Sequence, residues 1–459
     1  MKYKSQMVAK PYFIFALILL AGQIVFGLIA GMQYIHGGFL FPEIPFNVAR
    51  MVHTNLLIVL MLFAFMGASY YLVPEEAERE LWSPMLAKVM FWIFAVAGIL
   101  TILGYLLVSY SELAKITLNY LLPTMGRGYL EQPTITKIGI VVVVVAFILN
   151  ITMTIIKGRK TIITTMLLFG LFGLAFFFLF AFYNPANLVM SKTFWWFVVH
   201  MWVEDTWELI EAAILAFVVI KVTGVDREQI DKWLYLIVAS TLIAGLMGVG
   251  HHYYFIGTPK YWFWLGTIFS VLEVVPFFLM IIFVYQMVKK RRIKHDNEAA
   301  LTWAKGTAVV GFIGAGLLGL ALSPYFISYF THGTQLVAAH GHLSFFGAYI
   351  MIMFTIISYA MPTMRGRPHG NCAKAQRVEK IGFWLMVIGV FGMATALLIA
   401  GFVQVDLQEL PNSAHALTFA QTVTKEMPWF VIREVFGVVI LIGLLTYFYS
   451  FFVKEPNGA

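Results

Sequence analysis

Seven of the 11 histidines, His53, His200, His251, His252, His332, His340 and His342, fall inside long apolar runs or at their mouths. Ionisable side chains are costly in such surroundings, so each is a candidate functional group. His200 and Glu204 are four residues apart and share a helix face that Glu208 and Glu211 continue. The first two suit a common metal ion. His251 and His252 are adjacent, about 100° apart on a helix, so both reach one ion only from distorted or unwound backbone beside Gly248 and Gly250. His340 and His342 are two apart, about 200°, and face opposite ways. They cannot share a metal, but each can ligate a different large planar cofactor on its own side of the helix. His53, facing inward from the second apolar run, supplies the opposite axial ligand to one of these, a six-coordinate haem, while the other haem iron keeps an open position. For the remaining ion, three histidines and a carboxylate favour non-haem iron over copper, because carboxylate oxygen is a hard donor. Zinc satisfies the same ligand count but is redox-inert and would have no task beside an open haem.

These residues need a membrane scaffold to position them. Hydrophobic residues make up 61% of the 459 and charged residues 12%, against roughly 45–50% and 25% in soluble domains, which excludes a water-soluble protein of this size. Apolar runs at 11–35, 50–73, 83–110, 134–156, 162–183, 191–222, 230–257, 261–290, 300–328, 333–362, 379–404 and 427–453 predict an all-α, polytopic bundle of twelve transmembrane helices in one catalytic domain, 1–459. The first run follows Lys2, Lys4 and Lys10 but is too long for a signal peptide and lacks a small-residue cleavage site, so it reads as an uncleaved span. The net charge of +8 raises the question of nucleic acid, but most Lys and Arg sort to one side. They lie at the N-terminus, Lys157–Lys160, 221–232, Lys289–Arg292 and 365–380, which the positive-inside rule makes cytoplasmic together with both termini. The surplus is therefore an orientation signal, and nucleic acid is not an expected partner. In this orientation six of the seven histidines, all but His332, lie within about 15 Å of the outer face. The acidic run Glu75, Glu76, Glu78 and Glu80 reads as a solvated cytoplasmic loop, and the stretches 110–134 and 404–427 as outer resting places for a partner or a lid. Cys372, the lone cysteine, excludes an internal disulfide, and no Cys-x-x-Cys-His haem attachment site exists, so any c-type haem belongs to a partner.

The set His53, His200-Met-Trp-Val-Glu204, Gly-His251-His252-Tyr and Ala-His340-Gly-His342 resembles the large catalytic subunit of the cytochrome c-dependent nitric oxide reductases, of the haem-copper oxidase superfamily. The resemblance runs from Val-Ala-Lys-Pro-Tyr at 8–12 through Pro-Phe-Asn-Val-Ala-Arg50-Met-Val-His53 to the last span. It implies His53 and His342 on low-spin haem b, His340 on haem b3, and His200, His251, His252 and Glu204 on non-haem iron. It further implies Glu208 and Glu273 as proton-delivering and site-shaping groups, reduction of nitric oxide to nitrous oxide, a membrane-anchored cytochrome c partner, and the bacterial inner membrane. Arg50 and Arg127, at outer helix ends, are candidates to neutralise haem propionates. Two residues depart from the pattern. Gly128 stands where a Glu commonly helps bind calcium, so a calcium ion would need Glu131, main-chain oxygens or the partner as substitutes. Glu211 replaces an apolar residue; it either extends a polar track inward or, the preferred reading, is a protonated or hydrogen-bonded buried acid, with Glu211→Leu nearly harmless.

Three rivals follow from the same residues. An oxygen-reducing relative typically uses copper and a tyrosine cross-linked to a ligand histidine; Tyr253 and Tyr254 are not in that position. A quinol-fed reductase carries a hydrophilic extension before the first span, which here begins near Pro11. A secondary transporter predicts repeat symmetry and helix breaks at midmembrane, whereas these groups cluster toward one face.

Overall fold

The computed structural model describes residues 1–108, 112, 127–293, 296–367, 370–410 and 415–453, and every regular element among them is helical. The first half comprises α1 (Ala9–Ile35), α2 (Phe46–Glu76), α3 (Pro84–Leu107), α4 (Thr134–Ile156), α5 (Ile162–Phe178), α6 (Leu188–Met201), α7 (Trp207–Thr223) and α8 (Arg227–Gly248). The second comprises α9 (Tyr261–Leu272), α10 (Val274–Lys289), α11 (Glu298–Gly311), α12 (Leu318–Leu322), α13 (Tyr325–Thr331), α14 (Gln335–Ser344), α15 (Met351–Met364), α16 (Ala373–Gln404) and α17 (Phe419–Ser450). Local chemistry sets several starts. Ser83, Thr161, Asn187, Thr334 and Thr418 each accept a first-turn backbone N–H through the side chain, satisfying a donor that the helix itself cannot.

Among the described residues, eleven helices are long and apolar enough to cross a membrane, not the expected twelve. The difference lies at 191–222. There α6 and α7 form one helical rod through a π-helical turn at Trp202–Thr206, but Glu204, Asp205, Glu208 and Glu211 in its middle make it too polar to count by composition. The outer stretch 110–134 lies largely outside the described residues, as do His295 and His369.

Burial sorts the helices by role. Phe46–Glu76 is 94% buried across its apolar window and Gln335–Met364 is 89%, against 22% for Lys4–Ile35 and 28% for Phe419–Ser450. The helices carrying His53, His340 and His342 are therefore the central ones, wrapped by others that keep apolar side chains outward, as hydrocarbon solvent requires.

The acidic run at the C-terminal end of α2 is a solvated loop only in part: Glu78 and Glu80 are exposed in the turn, whereas Glu75 and Glu76 are on the helix and packed inward. Glu76 is buried and receives two N–H bonds from the Arg227 guanidinium, one at 2.7 Å, and the Thr161 hydroxyl at 2.9 Å. Glu75 pairs with Lys221 and accepts from the Gln6 amide at 2.9 Å. Glu78 pairs with Arg159 at 2.8 Å, and Glu80 accepts the backbone N–H groups of Lys4 and Ser5 at 2.9 and 2.8 Å. Each carboxylate thus ties a different segment to α2. Glu76→Gln keeps the shape but removes the charge opposite Arg227, and is expected to cost about 1–3 kcal/mol. Thermal unfolding followed by circular dichroism in detergent checks this; a Tm equal to that of the parent chain counts against it.

Candidate metal centre

The structure brings His200, Glu204, His251 and His252 together, one ligand atom from each lying within 4.8 Å of all the others. Two departures from α-helix make this possible. At Trp202–Thr206 the π turn holds Glu204 at φ −105°, ψ 15°, outside helical values, which swings its carboxylate to 3.4 Å from His200 Nδ1. At Val249–Tyr253 the chain tightens into a 3-10 turn, so the two adjacent histidines converge, each with Nε2 3.8 Å from a Glu204 oxygen. The backbone distortion expected beside Gly248 and Gly250 is this turn.

Glycines supply the room. A Cβ on Gly245 would stand 2.5 Å from the Glu204 carbonyl oxygen, and one on Gly250 would stand 2.8 Å from the Gly266 Cα. Gly248 leaves space for the Glu273 carboxyl, which sits at the break between α9 and α10 with Oε1 3.9 Å from His200 Nε2.

Hydrogen bonds decide which histidine nitrogen is offered. A carbonyl only accepts, so His200 Nε2 donates to Gly245 O at 2.7 Å and Nδ1 keeps its lone pair. His251 Nδ1 donates to Ser270 Oγ at 2.7 Å, and that hydroxyl donates onward to Gly248 O at 3.1 Å. His252 is held by stacking on Trp196 at 4.3 Å and 4°. His200 Nδ1 and His252 Nε2 are buried and have no hydrogen-bond partner among the described residues. Unpartnered nitrogens facing a carboxylate, with His200 fixed through its opposite edge and His252 by its stacked face, are what a metal requires, and the donor set fits one ion.

The haem positions meet a related test, although His53 Nε2 here accepts from the Gln23 amide at 3.3 Å. His53 and His342 face each other with ring centroids 6.2 Å apart; with ligand bonds of about 2 Å, a metal atom fits between two imidazoles at this separation. His53 Nδ1 donates to Gln23 O at 2.7 Å and His342 Nδ1 to Ala338 O at 2.7 Å, leaving both Nε2 atoms as acceptors. His340 turns to the opposite side, its Nδ1 donating at 2.9 Å to Gly314 O, a carbonyl in the π-helical segment Phe312–Leu317. His340 is within electrostatic reach of Glu204 and His251.

Around these groups, Glu208 is buried and accepts from the Thr241 hydroxyl at 3.2 Å, whereas the fully buried Glu211 has no partner for either oxygen among the described residues. Arg127 is buried and donates to the carbonyls of Tyr183 and Ser191, while Arg50 is exposed. Gly128 O accepts the Trp195 indole N–H at 2.8 Å. His332 packs on Phe255, 5.5 Å between rings. Sequence reading missed Tyr349, whose hydroxyl donates to the Val203 carbonyl and which lies within electrostatic reach of Glu204, Glu208, Glu211 and Glu273. It also missed Ser270, Gly245 and Gly314, none of which carries a ligand-type side chain.

Glu131, in the loop before α4, is buried and accepts from the Asn55 amide at 3.0 Å. Burial pushes its carboxyl up to about 7, the Asn55 bond opposing. The folded chain therefore binds a proton that the unfolded chain has already released between about pH 4.5 and 7, so this group lowers stability as pH rises through that window. Glu131→Gln is expected to flatten that part of the Tm–pH profile; an unchanged slope would contradict the buried state.

Comparison with known proteins agrees with this geometry. The family profile "Cytochrome C and Quinol oxidase polypeptide I" matches residues 7–439. A nitric oxide reductase subunit of Stutzerimonas stutzeri is 59% identical over 98% of this chain and 95% of its own length. A cytochrome c oxidase subunit 1 homolog of Agrobacterium tumefaciens (strain T37) is 24% identical over 89% of this chain and 76% of its own. The cryo-EM structure of a heme-copper terminal oxidase dimer shares the fold, with TM-score 0.73 and 16% identity over 98% of this chain and 83% of that one. The chain belongs to the cytochrome c and quinol oxidase polypeptide I family and, within it, groups with the nitric oxide reductases.

Proposed function

We propose that the chain reduces nitric oxide: 2 NO + 2 electrons + 2 protons give N2O and water. The observation that carries this reading is Glu204 among three histidines, a hard oxygen donor completing an iron-type ligand set, in a chain 59% identical to a nitric oxide reductase subunit. His200 Nδ1, His251 Nε2, His252 Nε2 and Glu204 would hold non-haem iron; His53 and His342 would hold low-spin haem b, and His340 haem b3. When bound, these irons supply electrons and stabilise charge developing on the NO-derived fragment. The protein positions both sites from rigid helices, so that two substrate molecules meet in one orientation.

Glu208 and Glu273 are the proton-holding carboxyls. Glu273 Oε1 is buried beside His200, without a hydrogen-bond partner among the described residues, placed to give its proton to an oxygen atom leaving the site. Glu208 lies one helical turn deeper than Glu204 and resupplies it. Electrons enter from a membrane-anchored cytochrome c subunit, since this chain has a single cysteine and no covalent haem site. The positive-inside reading places both termini in the cytoplasm of a bacterial inner membrane, with the polar rod Leu188 to Thr223 as the twelfth span.

Oxygen reduction fits less well. Tyr254, a neighbour of the ligand pair, commits its hydroxyl to Thr267 and the Ser323 carbonyl, and Tyr253 packs edge-on against Trp262. For calcium, Gly128 offers no carboxylate, its carbonyl is bonded to Trp195, and Glu131 is bonded to Asn55. Metal analysis of the purified complex tests the assignment. Two b haems and one further iron per copy of this chain, without copper, are expected; copper, or a missing third iron in active protein, overturns it.

A further inference from the structure

The carboxyl of Glu211 plays no part in the function proposed above, yet it is cut off from water inside the bundle. The residue is fully buried, and neither Oε1 nor Oε2 has a hydrogen-bond partner among the described residues. A buried carboxyl is retained at such a position only if something satisfies it, since desolvation without a compensating bond is costly in either protonation state. A second orphan lies beside it. Trp207 is also fully buried, and its indole N–H has no acceptor among the described residues.

Trp207 and Glu211 are i and i+4 on α7, and Glu208 and Glu211 are i and i+3, so Glu211 has each of the other two as a neighbour on the helix surface. One donor and one carboxyl flanking the Glu211 carboxyl in this way supply the two to four polar partners that a buried water molecule needs. The other titratable groups near this point are Glu204 and Asp205 on the preceding turn, Tyr349 across the packed interface and Glu273 at the α9–α10 break. Toward the Thr223 end, Phe217 is in edge contact with Tyr71 and Tyr359.

We propose that Glu211, with Glu208 and the indole N–H of Trp207, encloses an ordered water molecule and stores an exchangeable proton behind the metal centre. Two carboxyls this close in a dry interior cannot both be ionised, so at least one proton stays with the pair. When Glu208 gives its proton toward the metal site, the Glu211 proton crosses the water to Glu208. Glu211 is left anionic until a proton drawn from solvent returns to the pair between turnovers. No bond other than O–H bonds is made or broken. This differs from the sequence expectation that Glu211 is an inert acid, because neither oxygen has the hydrogen bond that an inert acid would keep.

The turnover arm of the test rests on the nitric oxide reading; the spectroscopic arm does not. Redox-difference infrared spectra of the purified complex, poised with dithionite and ferricyanide in H2O and D2O without nitric oxide, should show a protonated-carboxyl band that shifts in D2O and is absent from Glu211→Gln. With nitric oxide, Glu211→Gln should turn over at least about tenfold more slowly at full haem and iron content, with Glu211→Asp recovering part of the rate. An unchanged infrared spectrum in Glu211→Gln overturns the proton store. So does wild-type turnover in Glu211→Leu, and should that variant fail to assemble, the isosteric Gln variant still decides. Loss of the band together with absence of nitric oxide turnover in the parent protein would instead retain the store and remove the function.

Discussion

Glu204→Gln is expected to strip the third iron while leaving both haems in place. The amide has the same size and reach, so the π turn and its packing survive, but the negative charge and the hard anionic donor are lost. His200, His251 and His252 would then face a neutral oxygen. Removing a hydrogen-bonding support behind a ligand typically lowers metal affinity 10–100-fold, so removing the ligand charge itself should lower it by about 100-fold or more. Iron per chain should fall from three toward two, with the haem absorption bands unchanged and nitric oxide turnover lost in proportion. Full iron content with full turnover in this variant would falsify the ligand role of Glu204.

The second large effect is expected from a methyl group. Gly245→Ala places a Cβ 2.5 Å from the Glu204 carbonyl oxygen and 3.3 Å from the Asp205 Cβ. The first contact is with backbone, which cannot swing aside as a flexible side-chain tip does. Either α8 retreats or the π turn closes, and both outcomes move the carbonyl that holds His200 Nε2 at 2.7 Å. Overpacking of this kind costs about 1–3 kcal/mol, and it is concentrated at the ligand set. The variant should lose non-haem iron and thermal stability together. Gly139→Ala, at a helical glycine whose added Cβ meets nothing within 4 Å, is the matched control and should be neutral or slightly stabilising. Equal behaviour of the two variants would show that the close approach does not matter.

Much of this site was legible because hydrocarbon makes polar residues conspicuous. The spacing of His200 and Glu204, and the opposed faces of His340 and His342, follow from helix period alone. The need for distortion at His251 and His252 follows from the same arithmetic. What could not be read was where the period itself changes. Regular spacing places Tyr349 two turns below His342, on the haem side, but the π-helical segment Phe345–Ile350 rotates it to the Val203 carbonyl. Likewise the Gly314 carbonyl is free to accept from His340 only because Phe312–Leu317 is π-helical. Such turns are set by tertiary contact rather than by local propensity. The acidic run at the end of α2 was read only in part, for a related reason: Glu78 and Glu80 are exposed, but the anchoring role of the four carboxylates went unseen. Its partners, Lys4, Arg159, Lys221 and Arg227, come from four separate segments, and no local pattern announces that they converge.

That convergence bears on the chemistry at the far end of the same helix. His53 and Glu76 are 23 residues apart on α2, about 34 Å at helical rise, so one continuous strut joins the haem position to the opposite end of the bundle. Anchoring its foot to the N-terminal segment, the 157–161 turn, α7 and α8 fixes the height at which His53 meets His342. Two of those anchors lie on or beside the rod that carries Glu204. The proposed haem ligand and the proposed iron ligand are thereby levelled against each other from the end of the bundle that holds neither.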